Sequence, residues 1–462
     1  MTPFTQYIVN LFEKNAKQLT EGDVGFLADL RKKAIAVFAE RGFPTGKMES
    51  WRHHPLDQHV EKEYTLQLTP EPYLPIDKVF KCKIGNIGTN MFTLMNGWYV
   101  HQHAPLTIFP NGMMVGSLLM AIQQHPDLVK AHLAQQDLQK TDPLVAMNES
   151  LFTDGLFIYV PDNLHVDQPI QMVSLATSKE NLLIQNRNLI VLGKNASLSI
   201  IYCNDSIHDG KSFTNNVTEI SLDEQAKMNY YKMENKDPDS LLIDHILVDG
   251  KTSAQFLSNT ITFNAGYVRT MITVNLNEPY ADAKLYGLYL VDKMQYVDNH
   301  VFVWHKATDC TSTQLYKGVI DNEATANFNG HILVAQDAQR TAAFQTNRNI
   351  TLTDEARIMT KPFLEIYADD VQCSHGATVG QLNDEALFYL RSRGICERNA
   401  RILLLYAFAN EIVETIEIES LRHRLTDMVK KRIRGEFSHC EECVLHCSDP
   451  KDITFSIDVS KI

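Results

Sequence analysis

The sequence predicts a mainly β protein: a strand-rich core lies between an α/β, partly helical N-terminal domain and an α-helical C-terminal domain. Three observations predict it. The first forty residues and those after Gly380 carry apolar positions at helical spacing, whereas from about Ile170 that period disappears for about two hundred residues. In its place come short runs of Val, Ile, Thr, Tyr and Phe separated by Asn, Asp and Gly, the composition of strands and turns. No helix-length segment interrupts them, so βαβ crossovers are excluded and a sandwich, a closed barrel or a solenoid remains. Small residues at alternate positions (Ala324, Ala326, Gly330) and recurrent Asn and Asp at turns favour a parallel β-helix, with a large sandwich as the alternative.

At the N-terminus, Phe4, Ile8, Leu11 and Phe12, then Val24, Leu27, Leu30, Ala34, Val37 and Phe38, mark two helices ending near Gly42 and Pro44. A mixed pattern follows to Pro169 and includes one helical stretch from Ser117 to Gln136. In the core, Val268, Thr270, Ile272, Val274 and Leu276 alternate with Arg269, Thr273 and Asn275, and Ala324 to Val334 repeat the pattern, which predicts one buried face per strand. Beyond Gly380, two helices flank an Arg393-Gly394 break, and a third runs from Ile418 to Arg434. That third helix is basic, either as a solvated face or as a surface for an acidic partner. The expected domains are 1–169 (α/β), 170–380 (β core), 381–435 (helical) and 436–462 (a cysteine-containing tail).

Lys plus Arg number 43 against 56 Asp plus Glu, a formal charge of −13 that argues against a nucleic-acid binder. Apolar residues at 44% suffice for a large core. No apolar run is long enough to span a membrane, and the segment from Met1 to Lys17 lacks the apolar stretch of a signal peptide, so a soluble cytoplasmic protein is expected. The eight cysteines include five too scattered for a small disulfide framework and read as reduced thiols.

Catalytic signatures are nearly absent: the chain has no P-loop, no GxGxxG opening a helix, no HExxH and no GxSxG, so no ATP site of its own is expected. The dense polar stretch Tyr367 to Gly380 stands out. Cys373 and His375, two residues apart, share one side of a strand and could meet one metal ion, with Asp369 and Asp370 nearby. The competing explanation is a turn capped by one Asp and a hydrogen-bonded structural histidine. In the tail, Cys440, Cys443 and Cys447 form a CxxCxxxC spacing between His439 and His446, suited to zinc or a transient cluster, or else to a mobile, oxidation-prone end. Tyr286, Tyr289, Phe302, Trp304, Phe328 and Phe344 read as core or stacking residues rather than a nucleotide platform.

The last third carries a resemblance. Gly330 to Thr341, Gln345 to Asn349, Lys361 to Val371, Cys373 to Gly380 and Leu387 to Ile395 closely resemble the SufB/SufD family of iron-sulfur cluster assembly proteins, and the likeness persists weakly to Glu49-Ser50-Trp51-Arg52. Of the two branches, the chain looks like SufD. The resemblance implies a right-handed parallel β-helix that pairs with a SufB-like subunit, C-terminal helices from about Asn383 to Glu419 that bind a SufC-like ATPase, and a SufBC2D scaffold on which a transient iron-sulfur cluster is built, shared with SufB. His375 matches the histidine implicated in forming that cluster, and Cys373 the thiol two residues before it. Where the SufB branch places its sulfur-accepting cysteine in an FYC sequence, Phe388-Tyr389-Leu390 has leucine, which cannot take up persulfide sulfur. The tail has no assured role in that family, and a homodimer of the isolated chain stays open. The competing functions are a β-helix carbohydrate-active enzyme using Asp369 and Asp370, which adjacent positions in a strand would aim to opposite faces, and a self-contained metal protein using the cysteine tail.

Overall fold

A long helix-free stretch satisfies its backbone by pairing each pass of the chain with the next. The computed structural model describes residues 2–21, 23–52, 55–70, 89–101, 104–136, 140, 142–177, 180–206, 211–235, 238–264 and 266–435. Short strands β1 (Thr65–Leu66), β2 (Asn90–Met95), β3 (Trp98–Val100), β4 (Leu106–Ile108) and β5 (Met114–Ser117) lie at the starting end. Thereafter strands alternate between two sheets. The first contains β6 (Leu156–Val160), β8 (Leu182–Leu192), β10 (Ser212–Leu222), β12 (Leu241–Gly250), β14 (Tyr267–Leu276), β16 (Tyr296–His305), β18 (Thr325–Val334) and β20 (Arg357–Ile366). Stacked in the second are β7 (Ile170–Ala176), β9 (Ser197–Ser206), β11 (Lys227–Asn235), β13 (Gln255–Asn264), β15 (Asp282–Val291), β17 (Thr311–Ile320), β19 (Thr341–Thr351) and β21 (Val371–Gly380). Neighbours within each series are parallel: Tyr267 stands opposite Tyr296, and Tyr296 opposite Thr325. The core is therefore a two-sheet parallel β-helix, as the sequence predicts, flanked by N-terminal and C-terminal helices.

One corner of each coil contains a residue in the left-handed region, at Asn163, Asn195, Gln225, Ser253, Tyr280, Asp309 and Arg340. The N–H of each donates to the coil above: Asn195 to Glu224 O at 2.8 Å, Gln225 to Thr252 O at 2.9 Å, Asp309 to Gln339 O at 2.9 Å, Arg340 to Asp370 O at 2.6 Å. The corners thus form a hydrogen-bonded column of their own. Asn and Asp adopt this conformation readily, and the stacked bonds hold Gln, Ser, Tyr and Arg in it at the other corners.

Between the sheets, alternate side chains form the interior: Val268, Ile272, Val274 and Leu276 of β14 pack with Val297, Val301 and Val303 of β16. Polar groups share that interior. Lys232 is wholly buried and ion-paired to Glu234 and Asp244, while Thr262 donates to Glu234 and Asn216 to Asp244, so each buried charge has partners.

The expectation of one buried face per strand needs correction, because through the middle of the solenoid both faces are covered. On the first sheet the segment after α1 (Pro3–Leu19) and α2 (Gly25–Arg41) lays Trp51 over the outward-pointing Arg269, at 3.7 Å from guanidinium to ring centre. Arg269 Nη1 also donates to Ser50 O at 2.9 Å and pairs with Asp298 at 3.1 Å, so an arginine that the alternation assigns to solvent is buried. The single helix expected from Ser117 to Gln136 is two, α3 (Leu118–Gln124) and α4 (Pro126–His132). Pro126 lacks an N–H and restricts His125, which ends the first helix. After α5 (Pro143–Leu151), the remaining helices are α6 (Asp384–Ser392), α7 (Glu397–Val413) and α8 (Glu419–Arg434). Leu405, Ala409 and Ile412 of α7, with Leu421, Leu425 and Val429 of α8, pack on Leu257, Ile261, Leu288 and Val319 of the second sheet. Among the described residues no helix is long and apolar enough to cross a membrane.

His305 points into the interior, fully buried with Nε2 2.9 Å from Ser312 Oγ, and burial pushes its pKa down to about 4. A histidine whose folded pKa lies below its unfolded value of about 6.5 contributes stability that is full above pH 6.5 and is lost as pH falls toward 4, by about 3 kcal/mol for this group. Denaturant titrations are expected to show that loss between pH 6.5 and 4, and His305→Asn to reduce the slope there.

Candidate functional site at the open end of the solenoid

At the late end of the solenoid, the last strand of each sheet is paired on one side only. β20 pairs only with β18, and β21 only with β19, among the described residues. Arg357 N donates to Ala324 O and Tyr367 N to Val334 O, each at 3.0 Å, so the odd-numbered residues of β20 bond inward to β18. The peptide groups of Ile358, Thr360, Leu364 and Ile366 therefore face the free edge, and Pro362 shares that side, where a missing N–H costs no existing ladder bond. The chain then leaves β21 through residues 381–383 into α6, which packs on α7 and leaves the edges uncovered. Two ten-residue edges lie side by side, with Met359, Phe363, Ile366, Tyr367 and Val379 exposed upon them. Natural sheets avoid leaving such edges free, which marks this end as a surface for another chain.

The expected ligand residues lie on β21. Cys373 and Val371 pack against the small apolar cluster of Ile332, Val334, Ala338, Ala343 and Ala368 that closes this end of the interior. Period two puts His375 on the same face of the strand, in register with the buried Gln345, yet His375 is exposed. Cys373 is half-buried, and burial raises its thiol pKa, so the thiol holds its proton at neutral pH in the isolated chain. Among the described residues, no three His, Cys, Asp or Glu side chains come close enough to hold a metal ion. Further ligands for anything bound at His375 must then be sought outside these residues.

Asp369 and Asp370 do not lie in a strand, contrary to the expectation. Both are exposed in the turn between β20 and β21, where Asp370 N donates to Gln339 Oε1 at 2.9 Å and Asp370 O accepts from the Arg340 N–H. The backbone of Asp370 thus joins the corner column, while both carboxylates stay exposed. Cys440, Cys443 and Cys447, with His439 and His446, lie outside the described residues.

Phe388 and Tyr389 of α6 are exposed, at 74% and 58%, with the Arg393 guanidinium 5.2 Å from the Tyr389 ring, whereas Leu390 is half-buried. α7 and α8 are anchored to the second sheet by polar contacts as well. Lys317 donates to Phe408 O at 3.0 Å and pairs with Glu411, Asn259 Nδ2 donates to Ile412 O at 3.1 Å, and Arg432 pairs with Asp292 at 3.3 Å. Arg432 thus belongs neither to a solvated basic face nor to a partner surface: it is buried within the chain. Of the aromatics read as core, Tyr289 and Phe328 are buried, but Phe344 is 43% exposed on β19. Sequence reasoning missed His331, which stacks between Phe302 and Phe363 at 4.9 and 4.8 Å. Its signal is the return of a planar residue once per coil, visible only when the register is known.

An open-ended parallel β-helix, with two free strand edges beside an exposed histidine and with helices clamped to one flank, has the architecture of a scaffold rather than of an enclosed enzyme pocket. Residues 175–408 match the family described as SUF system FeS cluster assembly, SufBD core domain, and residues 1–172 match the SufBD protein N-terminal region. The chain belongs to the SufB/SufD family of iron-sulfur cluster assembly proteins. It is 30% identical to an iron-sulfur cluster assembly SufBD family protein of Synechocystis, over 75% of this chain and 82% of the relative. It is 28% identical to the iron-sulfur cluster assembly protein SufD of Escherichia coli (85% and 90% covered) and 25% identical to SufD of Bacillus subtilis (93% and 98%). These relatives and Leu390 put it on the SufD side of the family.

Because Cys373 is half-buried with a raised pKa and Cys396 is exposed, iodoacetamide at pH 7 is expected to label Cys396 well before Cys373 in the isolated chain, as followed by peptide mass spectrometry. Equal rates would show that the end of the interior is open to solvent at Cys373.

Proposed function

We propose that this chain is the SufD-type subunit of a SufBC2D-like scaffold: it pairs with a SufB-like subunit through the open end formed by β20 and β21, and contributes His375 to a transient iron-sulfur cluster built at that junction. The observation that carries this reading is the pair of uncapped edges with an exposed imidazole on the last strand. A partner strand added there satisfies the free peptide groups and covers the exposed apolar side chains. A neutral imidazole nitrogen is a suitable iron ligand, and thiolates from the partner complete the set. Cys373 can join only after its thiol is deprotonated, which needs a shift of β21 or a cation close by.

In this reading residues 381–435 bind a SufC-like ATPase, with Phe388 and Tyr389 as exposed contacts on α6. The chain itself needs no ATP site and acts by position rather than as an enzyme, within the cytoplasm. Since only residues 381–383 separate β21 from α6, a pull on α6 by paired ATPase subunits reaches the strand that carries Cys373 and His375. The cluster is cargo, passed on after assembly. The carbohydrate-active alternative has less support, because Asp369 and Asp370 are exposed in a turn rather than set in a cleft.

The test is His375→Ala in the co-expressed complex with SufB-like and SufC-like subunits. The exposed side chain makes the substitution harmless to folding, so the complex is expected to co-purify intact while bound iron and acid-labile sulfide fall to a small fraction of the unmodified level. Full iron and sulfide with the variant would remove His375 from the cluster site.

A further inference from the structure

The outer face of the first sheet carries a ladder of rings that runs up to the open end. In register, Phe302 of β16 stands beside His331 of β18, and His331 beside Phe363 of β20. The ring centres are 4.9 and 4.8 Å apart, tilted by 54° and 57°. That spacing is the distance between hydrogen-bonded strands, so each ring is met by the next coil's ring over the last three coils, after Thr273 at the preceding register position. The imidazole is held in place: His331 Nε2 lies 3.2 Å from Glu365 Oε2, and Tyr367 donates its hydroxyl to Glu365 Oε1 at 2.5 Å. Phe363, on the last strand, has a neighbour on one side only and is 46% exposed.

A strand added to β20 places one of its outward side chains at the next step of this column. Pro362, beside Phe363, offers no N–H to that strand, so main-chain pairing is weakest where the rings end, and side-chain contact has the larger say in register there. Glu365 already accepts from His331 and Tyr367, which leaves stacking as what Phe363 has to offer.

We propose that Phe363 is a register-setting anchor, and that the strand pairing with β20 comes from a second parallel solenoid whose terminal strand carries an outward planar ring, aromatic or imidazole, continuing the Phe302–His331–Phe363 ladder. This rests on the pairing reading above and adds to it the chemistry by which the correct partner and register are selected.

The test is the affinity of the purified full chain for a SufB-type subunit, by isothermal titration calorimetry. Phe363→Ala is expected to weaken binding about tenfold, the scale of one lost aromatic pair with its buried area. Phe363→Tyr, which keeps the ring, is expected to bind within about twofold of the unmodified chain. Ile108→Ser, an exposed change on β4 at the far end, serves as the control and is expected to leave affinity unchanged. Melting curves of all three should match the parent, since both sites are surface-exposed. If the unmodified chain binds and Phe363→Ala binds equally well, or if Tyr and Ala weaken binding alike, the ladder plays no part and the inference falls while the pairing stands. If the unmodified chain does not bind the subunit at all, the pairing reading fails and takes this inference with it.

Discussion

A strand in a parallel solenoid is stable because the coil before it and the coil after it both take up its peptide groups, and the last coil has no successor. That constraint organises this molecule. The interior packs, the corner residues from Asn163 to Arg340 bond coil to coil, and the helices settle on the two flat faces, yet none of these covers the end where β20 and β21 finish. Leaving twenty residues of strand with one bare edge is costly for an isolated protein, because unpaired backbone groups and exposed Phe363, Tyr367 and Val379 invite association. Cys373 and His375 lie where that backbone demand is unmet.

The flanking elements are fastened by ion pairs, each with a buried basic residue on one side and, at Arg269–Asp298 and Arg432–Asp292, a buried carboxylate on the other. Arg269 joins the Ser50-Trp51 segment to Asp298, Arg432 joins α8 to Asp292, and Lys317 joins α7 to the second sheet through Glu411. Breaking one partner of such a pair strands the other in a poorly hydrated site, a cost of about 3–5 kcal/mol. α7 and α8 therefore move with the sheet, whereas α6, packed on α7 and exposing Phe388 and Tyr389, follows directly from β21. Only residues 381–383 separate α6 from the edge strand β21.

Much of this was legible in the sequence because local rules governed it. The switch from helical to alternating period located the β core, Gly42 and the Arg393-Gly394 break ended helices, and small inward residues favoured a solenoid over a sandwich. Long-range contacts were illegible for physical reasons. Arg269 reads as an exposed strand residue until Trp51 is placed upon it, and Asp369 and Asp370 read as strand carboxylates until the corner column claims the backbone of Asp370. The Phe302–His331–Phe363 column depends on coil length, which varies between successive coils and so leaves no strict repeat to detect. Cys373 and His375 were correctly placed on one side of a strand, but nothing in the sequence distinguished the half-buried thiol from the exposed ring.

Family membership and geometry converge on an assembly role, and the central claim is that the bare edges are where the partner sits. Hydrogen exchange measures that directly. In the isolated chain, peptides covering 357–366 and 371–380 should contain a fast-exchanging set of amides from the free edges. On binding the SufB-type subunit, that set should slow by at least about tenfold, while peptides covering 106–117 at the far end exchange as before. Unchanged exchange at both edges, with protection appearing on another face of a complex that does form, would contradict the account.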